Sequence, residues 1–448
     1  MSCSSVNSNS VGDPELPAYS RRDPVESPDQ VKHTYSLGKN AHQPLTLSFR
    51  SKAKSTDDVP VVHEGQRISG SVCLNLDGET FIRSVTVTIM GDIIAPWGAN
   101  RFLTMREELY SVESKEGSPP RTPPSRASPP RTSPPRTSPS RDTSSQLQTA
   151  GESKLTGTNT WSFAFKLPKG VGIPYSGSGG AVTKYVLPAS FHDTLTKTSI
   201  VYQVLVRVKR GMLSTDYRLS APFEYLPLIR PDAPSILRQA TYMEATPLLG
   251  PVDDPVGWKT LDLLTVSGTW FNTREVNVSC SVSLALPTCY LRGMPIHIWV
   301  NLKSSDEQVL DLLSSTSAID IRLVRTISHQ RNIVNMGVVG SHQGPLVTQS
   351  TDIASGKFWQ ADVSRDKEAG SRELVGEIIV PADVSPACDI LDLALGYAVV
   401  VHSFKAAGFT PAAQSAKPLL KEDIKIATLP AAGPLPLPRT PPSYEDDT

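Results

Sequence analysis

The sequence has few of the features that covalent chemistry or membrane insertion would need. Its 448 residues include only five cysteines, Cys3, Cys73, Cys280, Cys289 and Cys388. An odd number of widely spaced cysteines predicts reduced, mostly buried thiols rather than a disulfide framework. No apolar run approaches the roughly 20 residues that span a bilayer, and no hydrophobic signal region follows a basic start. We therefore expect a soluble, cytoplasmic protein without a transmembrane segment.

Charge and histidine spacing exclude further classes. There are 44 basic and 44 acidic residues, and the resulting net charge of zero argues against a nucleic-acid binder. The eight histidines form no His-x-x-x-His pair, and Cys280 and Cys289 are too far apart for a Cys-x-x-Cys metal site. His297 and His402 are predicted on outward strand faces. We expect no catalytic residue, cofactor or metal ligand, so the protein is predicted not to be an enzyme.

What the sequence does contain is β-strand pattern. In "SVTVTIMG", Val85, Val87 and Ile89 alternate with threonines, and "YQVLVRVKRG" alternates from Tyr202 to Val208 in the same way. Period two with β-branched residues indicates half-buried strands. Asp77-Gly78, which lies between "SGSVCLNL" and "SVTVTIMG", predicts a hairpin turn. "SILRQATYM" is compatible with a short helix, and "KSSDEQVLDLL" with either one helical turn or a loop.

Proline is abundant, and it is clustered. The 39 prolines concentrate near both ends of the sequence and in "RTPPSRASPPRTSPPRTSPSRDTSS", where five arginines recur about every five residues. Such segments lack the large apolar residues that a packed core requires. We predict a disordered leader at 1–42, a disordered insert at 113–153 and a disordered tail at 429–448. Because strand pattern resumes directly after the insert, we expect it to interrupt one domain rather than link two.

The sequence ends with "TPPSYEDDT", which contains the Pro-Pro-x-Tyr ligand type of WW domains. Pro441 and Pro442 set a polyproline II conformation in advance, so that little entropy is lost on binding, and Tyr444 fills a second pocket. Ser443 is then a spacer. Near the other end, Leu16, Pro17 and Tyr19 of "LPAY" form a weaker version of the same motif. If both motifs bind, tandem WW domains could engage them together.

The arginine-rich insert suggests regulation. Five of its hydroxyl residues precede proline and suit a proline-directed kinase: Ser118, Thr122, Ser128, Ser133 and Ser138. Each phosphate adds about −1.5 to −2 charge, so five would turn the +5 arginine ladder negative and oppose contact with acidic lipids or cargo tails. A passive loop and an SH3 ligand are the alternatives. Thr440 also precedes a proline, and its phosphorylation could tune WW binding.

The order of the strand segments resembles the arrestin-like family, specifically the α-arrestins of fungi and animals. The resemblance rests on "EGQRISGSVCLNL" with Gly65, Ile68 and Gly70, followed by "IRSVTVTIMGDIIAPWG", "LTGTNTWSFAFKLPKG" and "VYQVLVRVKRG". In the second half, "VGEIIVPADVSPACDILDLALGYAVVVHSF" is similar to the family's proline-ended strand and tyrosine-led strand. Together the similar segments cover roughly 45–112, 154–232 and 265–428.

The resemblance implies a fold and a role. It implies an all-β chain of two consecutive immunoglobulin-like β-sandwiches: an N domain at 43–235, a connector at 236–264 and a C domain at 265–428. It implies a non-enzymatic adaptor that recruits a WW-domain HECT-type E3 ubiquitin ligase to plasma-membrane transporters or receptors and promotes their endocytosis. Peripheral recruitment to the plasma membrane or endosomes would follow. The alternative is an arrestin-fold scaffold subunit of a retromer-like sorting complex that needs no ligase.

Overall fold

The structure is a computed structural model. It describes residues 30–38, 44–96, 98–112, 154–174, 182–211, 214–333, 342–361, 369–412 and 417–439.

The described residues of the first half of the chain form eleven strands. They are β1 Val31–Leu37, β2 Leu45–Ser51, β3 Val61–His63, β4 Arg67–Ala95, β5 Gly98–Ser111, β6 Lys154–Lys166, β7 Gly170–Pro174, β8 Val182–Val186, β9 Phe191–Asp193, β10 Thr198–Arg210 and β11 Tyr217–Leu226. Nine of them form one curled sheet whose main path is β1-β2-β4-β10-β11-β3, with β5 and β6 on β4 and β9 on β10. Strands β7 and β8 form a separate pair.

Strand β4 belongs to both layers of this domain. Its first part, from Arg67 to Phe81, pairs with β6, whereas residues 82–94 pair with β10. The register with β6 shifts between Leu76 and Thr80, which is how an irregular insertion bends a strand. One continuous strand therefore passes from one face of the sandwich to the other.

The hairpin predicted at Asp77-Gly78 is wrong. A two-residue hairpin of type I′ needs positive φ at both central residues, and neither residue has one. Strand β4 instead runs through both positions, because β6 pairs with it on either side of them.

The close packing of three strands explains why residue 70 is a glycine. A Cβ atom at this position would collide with the carbonyl oxygen of Ser48 on β2 and with the ring of Phe163 on β6. Because glycine alone lacks a Cβ, β2, β4 and β6 can pack this closely only with glycine here.

The second half of the chain forms the remaining strands. They are β12 Trp258–Thr260, β13 Leu264–Trp270, β14 Arg274–Ala285, β15 Cys289–Leu291, β16 Pro295–Lys303, β17 Ile321–Ile333, β18 His342–Ser355, β19 Lys357–Gln360, β20 Ser371–Ile379, β21 Cys388–Ile390, β22 Leu393–Val401, β23 Phe409–Pro411 and β24 Leu420–Ala427. One sheet runs β19-β20-β16-β14-β13-β23 with β12 on β14, and the facing sheet runs β15-β24-β22-β17-β18 with β21 on β22.

Alternation along the strands places the core between the sheets. On β10, Tyr202, Val204, Val206 and Val208 are all buried, as the sequence pattern predicts. On β14, Val276, Val278, Cys280, Val282 and Leu284 are buried in the same alternating way. The all-β prediction of two consecutive sandwiches is confirmed.

In the part of the chain that the structure describes, two short α-helices interrupt the strands. Helix α1 spans Ile236–Glu244, which confirms the helix compatible with "SILRQATYM". Helix α2 spans Glu307–Leu313, so the ambiguous "KSSDEQVLDLL" segment is helical over seven residues. Within the described ranges, neither helix is long and apolar enough to cross a membrane.

Two segments predicted to be disordered contain ordered structure. Strand β1 lies inside the predicted leader, where its residues pair in register with β2 from Val31 to Leu37. Residues 429–439, inside the predicted tail, contact the folded body. A polar composition hid β1 and a high proline content hid residues 429–439, because pairing with a neighbouring strand or contact with the folded body supplies order that composition does not reveal. The insert at 113–153 lies outside the described residues.

Candidate functional site

The two domains meet at an ion pair between Asp193, at the end of β9, and Arg325 on β17. The Arg325 guanidinium donates from Nη2 to Asp193 Oδ1. Both side chains are largely buried, with 4% of Asp193 and 16% of Arg325 exposed. The guanidinium carbon also lies 5.5 Å from the centre of the Phe191 ring, a cation–π distance. A charged contact withdrawn from water therefore joins the N and C domains.

Asp193 is held in its charged form. Burial alone would raise the pKa of this carboxyl group, but other interactions outweigh burial and lower it. Thr196 donates to Asp193 Oδ2 from both its backbone nitrogen and its hydroxyl, each at 2.7 Å. The positive charge of Arg325 acts in the same direction.

Neutral hydrogen bonds support the same junction. The Ser385 hydroxyl donates to the Ser190 carbonyl at 2.9 Å. Farther along the junction, the backbone nitrogen of Ile229 donates to the Thr428 hydroxyl at 2.8 Å. The end of the N domain is thereby bonded to the end of the last C-domain strand.

A cleft of about 1170 Å³ opens beside this junction, with walls from both domains. Its charged lining mixes both signs: Lys52, Lys54, Asp58, Glu224, Arg292, Arg325, Asp352 and Asp383. A wide, mixed-charge opening suits a polar polypeptide better than a small apolar ligand, since deep apolar pockets are typical of small-molecule sites. Nowhere in the described ranges do three or more His, Cys, Asp or Glu side chains form a group that could hold a metal ion.

Beyond the last strand the chain crosses the body as a strap, which we define as residues 429–439. The backbone nitrogens of Thr428 and Leu429 both donate to the Ile229 carbonyl, at 3.0 and 2.9 Å. Arg230 then donates from Nη1 to the Pro430 carbonyl at 2.5 Å. The prolines that follow line a cavity whose other wall comprises Pro231, Pro234, Tyr242, Pro287, Tyr290, Met294 and His297.

The strap ends at Arg439, which is anchored at three points. Its backbone nitrogen donates to Glu377 Oε2 at 2.9 Å. Its guanidinium donates to the Thr241 carbonyl at 2.9 Å and to the Thr246 carbonyl. The Thr241 carbonyl lies in the last turn of α1, where a helix favours a positive charge, and Thr246 follows the helix directly after its cap at Ala245. Because α1 has no basic residue in its own last turn, the strap supplies that charge.

The carboxylate beneath Arg439 is buried beside a histidine. Glu377 on β20 and His297 on β16 each expose only 1% of the side chain, and His297 Nδ1 lies 3.8 Å from Glu377 Oε2. Burial, with the positive charges of Arg238 and Arg439, lowers the pKa of His297 to about 3, so the imidazole is neutral. The prediction of an outward-facing His297 is wrong, because α1 and the strap cover that face of β16.

A buried arginine fixes the other end of α1. The Arg238 guanidinium stacks 4.3 Å from the Trp258 ring. Ser235 caps the helix by accepting from the Arg238 backbone nitrogen at 3.2 Å, and its hydroxyl donates to Asp254 Oδ2 at 2.5 Å. The position of α1, and with it the seat of Arg439, is therefore fixed by the connector.

The short motifs predicted from the sequence lie outside the described residues. This holds for both WW motifs and for the phosphorylation candidates: Leu16, Pro17, Tyr19, Ser118, Thr122, Ser128, Ser133, Ser138, Thr440, Pro441, Pro442 and Tyr444. The last described residue, Arg439, stands two positions before Pro441. Sequence reasoning missed Arg439 and Glu377. The available signal was an acidic residue inside the apolar run "VGEIIV", which is unusual unless the charge is paired.

Comparison with known proteins supports the fold. Residues 55–210 match the family described as "Arrestin (or S-antigen), N-terminal domain". A search of curated proteins found no match. The match and the two β-sandwiches together define an arrestin-like fold. An arrestin domain indicates an adaptor or scaffold role in general, and no catalytic family is indicated.

Proposed function

We propose that this protein is an α-arrestin of fungal type that recruits a WW-domain HECT-type E3 ubiquitin ligase to plasma-membrane transporters or receptors. The recruited ligase ubiquitylates the cargo and promotes its endocytosis. The adaptor makes and breaks no bond and acts by raising the local concentration of ligase at the cargo. The observation that carries the proposal is Pro441-Pro442-Ser443-Tyr444 attached to an arrestin-like body.

The motif is specific because its spacing is part of the recognition. A WW domain accepts a polyproline II segment in an aromatic-lined groove, and the segment loses little entropy because the prolines already restrict it. Tyr444 supplies a second contact at a fixed offset from Pro441 and Pro442. Ser443 sets that offset without itself being required.

Residues outside the described ranges extend the proposal. Leu16, Pro17 and Tyr19 would give a second, weaker WW contact, which adds avidity only with tandem WW domains. The insert would control attraction to acidic membranes or cargo through a proline-directed kinase. The protein would then be cytoplasmic and recruited peripherally to the plasma membrane or endosomes.

The test is a titration of WW domains from HECT-type ligases with a peptide of residues 434–448. We expect binding that Tyr444→Ala weakens by at least about tenfold, the effect of losing roughly 1.4 kcal/mol. Ser443→Ala is the matched control and should leave the affinity unchanged. Failure of the wild-type peptide to bind any such domain would instead favour a ligase-independent scaffold subunit of a sorting complex.

A further inference from the structure

Helix α1 turns its apolar side chains outward. Ile236 and Met243 are 85% and 75% exposed, and Leu237 is 47% exposed. Arg238 and Tyr242, which lie on the opposite side of the helix, are instead buried. A surface helix of a globular protein ordinarily buries its apolar stripe and exposes its charged residues. The orientation of α1 is therefore the reverse of the usual one, and its apolar side is open to a partner.

The connector holds α1 in this orientation. The Arg238 guanidinium stacks on the Trp258 ring, and the Ser235 hydroxyl donates to Asp254 Oδ2 at 2.5 Å. Because these contacts keep the polar side of the helix against the body, they keep its apolar side toward the solvent. The exposed apolar side is therefore maintained by specific contacts of buried residues.

The exposed surface continues from α1 onto the connector. Ser235, next to Ile236, lies beside Gly257, where a Cβ atom would come within 2.9 Å of the Ser235 hydroxyl oxygen. Val256, next to Gly257, is 76% exposed. Ile236 and Met243 are seven positions apart, so they lie on one side of the helix about 10 Å from each other along its axis. We define the α1 face by its exposed apolar residues: Ile236, Leu237, Met243 and Val256.

The exposed charges of this segment are mainly negative. Residues 231–263 expose four carboxylates, those of Asp232, Glu244, Asp253 and Asp262. They expose one ammonium group, that of Lys259, which forms an ion pair with Glu422. Glu244 stands on the same side of α1 as Leu237, seven positions earlier. A second copy of the chain or an anionic membrane would therefore be repelled, whereas a partner with lysine and arginine side chains would be attracted.

We infer that the α1 face is the docking site for an amphipathic cytoplasmic segment of the cargo, with apolar side chains flanked by lysine and arginine. The inference rests on the proposed function, which makes plasma-membrane transporters or receptors the cargo. The cytoplasmic loops of such proteins carry an excess of lysine and arginine. An amphipathic helix from such a loop would pack its apolar side against Ile236 and Met243, with its basic residues near Glu244.

The test is a fluorescence-anisotropy titration of two synthetic amphipathic peptides with the full chain. Both peptides carry leucines at helical spacing; the remaining positions are lysine and arginine in one and glutamate in the other. We expect the basic peptide to bind at least about tenfold more tightly than the acidic one at about 0.1 M salt. Equal affinity for the two peptides, or tighter binding of the acidic one, overturns the inference.

Substitutions on the α1 face locate the binding. Ile236→Ser combined with Met243→Ser should weaken binding of the basic peptide about tenfold. Glu244→Lys should weaken it through charge, with the apolar side chains still in place. The matched control is Val186→Ser combined with Leu346→Ser, whose side chains are also exposed but belong to β8 and β18. All of these chains should melt like the wild type, and undiminished binding by the first variant overturns the inference.

Two further results would assign the α1 face to another occupant and overturn the inference. One is a dimer in sedimentation velocity that Ile236→Ser with Met243→Ser abolishes; the other is binding to phosphatidylcholine vesicles that the same variant loses. The 434–448 peptide tests the proposed function separately. If it binds a WW domain while the full chain ignores the basic peptide, only the role of α1 is wrong. If it binds no such domain, the proposed function fails whatever the α1 face binds.

Discussion

Asp193 and Arg325 are the residues on which the junction between the two sandwiches most depends. Removing one partner of a buried ion pair leaves the other charge without compensation, which costs more than the pair contributed. The Asp193 carboxylate is nearly inaccessible to water, and its second oxygen already accepts a hydrogen bond from Thr196. The charge, rather than the shape, of residue 193 is therefore critical.

Asp193→Asn tests this charge because asparagine keeps the shape and can still accept from Thr196. We expect a loss of about 3 kcal/mol in the free energy of unfolding, measured by urea denaturation. Asp216→Asn is the matched control, since its partner Arg207 is 39% exposed and such pairs contribute under about 1 kcal/mol. Equal effects of the two substitutions would contradict the assigned role of the junction.

The same pair predicts a pH dependence. The pKa of Asp193 is lowered in the folded state, so its contribution is fully present above the unfolded value of about 3.9. It is lost as the pH falls through the lower folded value. The stability difference between wild type and Asp193→Asn should therefore be constant from pH 7 to about pH 5 and shrink below pH 4. A difference that stays constant down to pH 2 would exclude this linkage.

Among the elements, α1 combines two tasks, because it joins the domains and seats the strap. Its first turn is capped by Ser235, and the Thr241 carbonyl in its last turn accepts from Arg439. Ser235→Ala should cost about 1 kcal/mol, seen as a lower melting temperature and faster amide exchange in α1. Ser235→Thr retains a capping oxygen and should behave nearly like wild type. Unchanged exchange in Ser235→Ala would show that the cap does not hold the helix.

The insert is an element whose predicted role is purely electrostatic. Aspartate at Ser118, Thr122, Ser128, Ser133 and Ser138 would neutralise its five arginines, whereas alanine would leave them unopposed. We expect the five-alanine chain to sediment with phosphatidylserine vesicles at about 0.1 M salt and the five-aspartate chain to bind less. The difference should disappear near 1 M salt, where charges are screened within roughly 3 Å. Equal sedimentation at low salt would leave the insert without this role.

Whether the sequence predicts an element depends on what orders that element, its own residue pattern or its contacts with other segments. The alternation of buried and exposed residues on β10 and β14 can be predicted from the sequence, because one face of each strand is buried. Strand β1 and the strap are harder to predict, because β1 is ordered by pairing with the following strand β2 and the strap by hydrogen bonds to residues that are distant in the sequence. The path of β4 through Asp77-Gly78 was likewise unpredictable, since pairing with β6 overrides the local turn preference.

At the scale of the whole molecule, the folded body and the short sequence motifs would divide the work of the proposed adaptor. The Arg325–Asp193 pair and the Ile229–Thr428 hydrogen bonds join the two sandwiches into one body. That body carries the strap, which ends at Arg439, two positions before Pro441 of the proposed ligase motif. The motif Pro441-Pro442-x-Tyr444 could be predicted from the sequence because the recognition proposed for it depends on consecutive residues, whereas the contacts of Arg439 are assembled from separate segments of the chain.

The most direct test of the account is proximity labelling in cells with the wild-type protein beside Tyr444→Ala. The account predicts that HECT-type ligases with WW domains are labelled by the wild type and lost in the variant, while transporters or receptors are labelled by both. Labelling of those ligases by Tyr444→Ala at the wild-type level would contradict it.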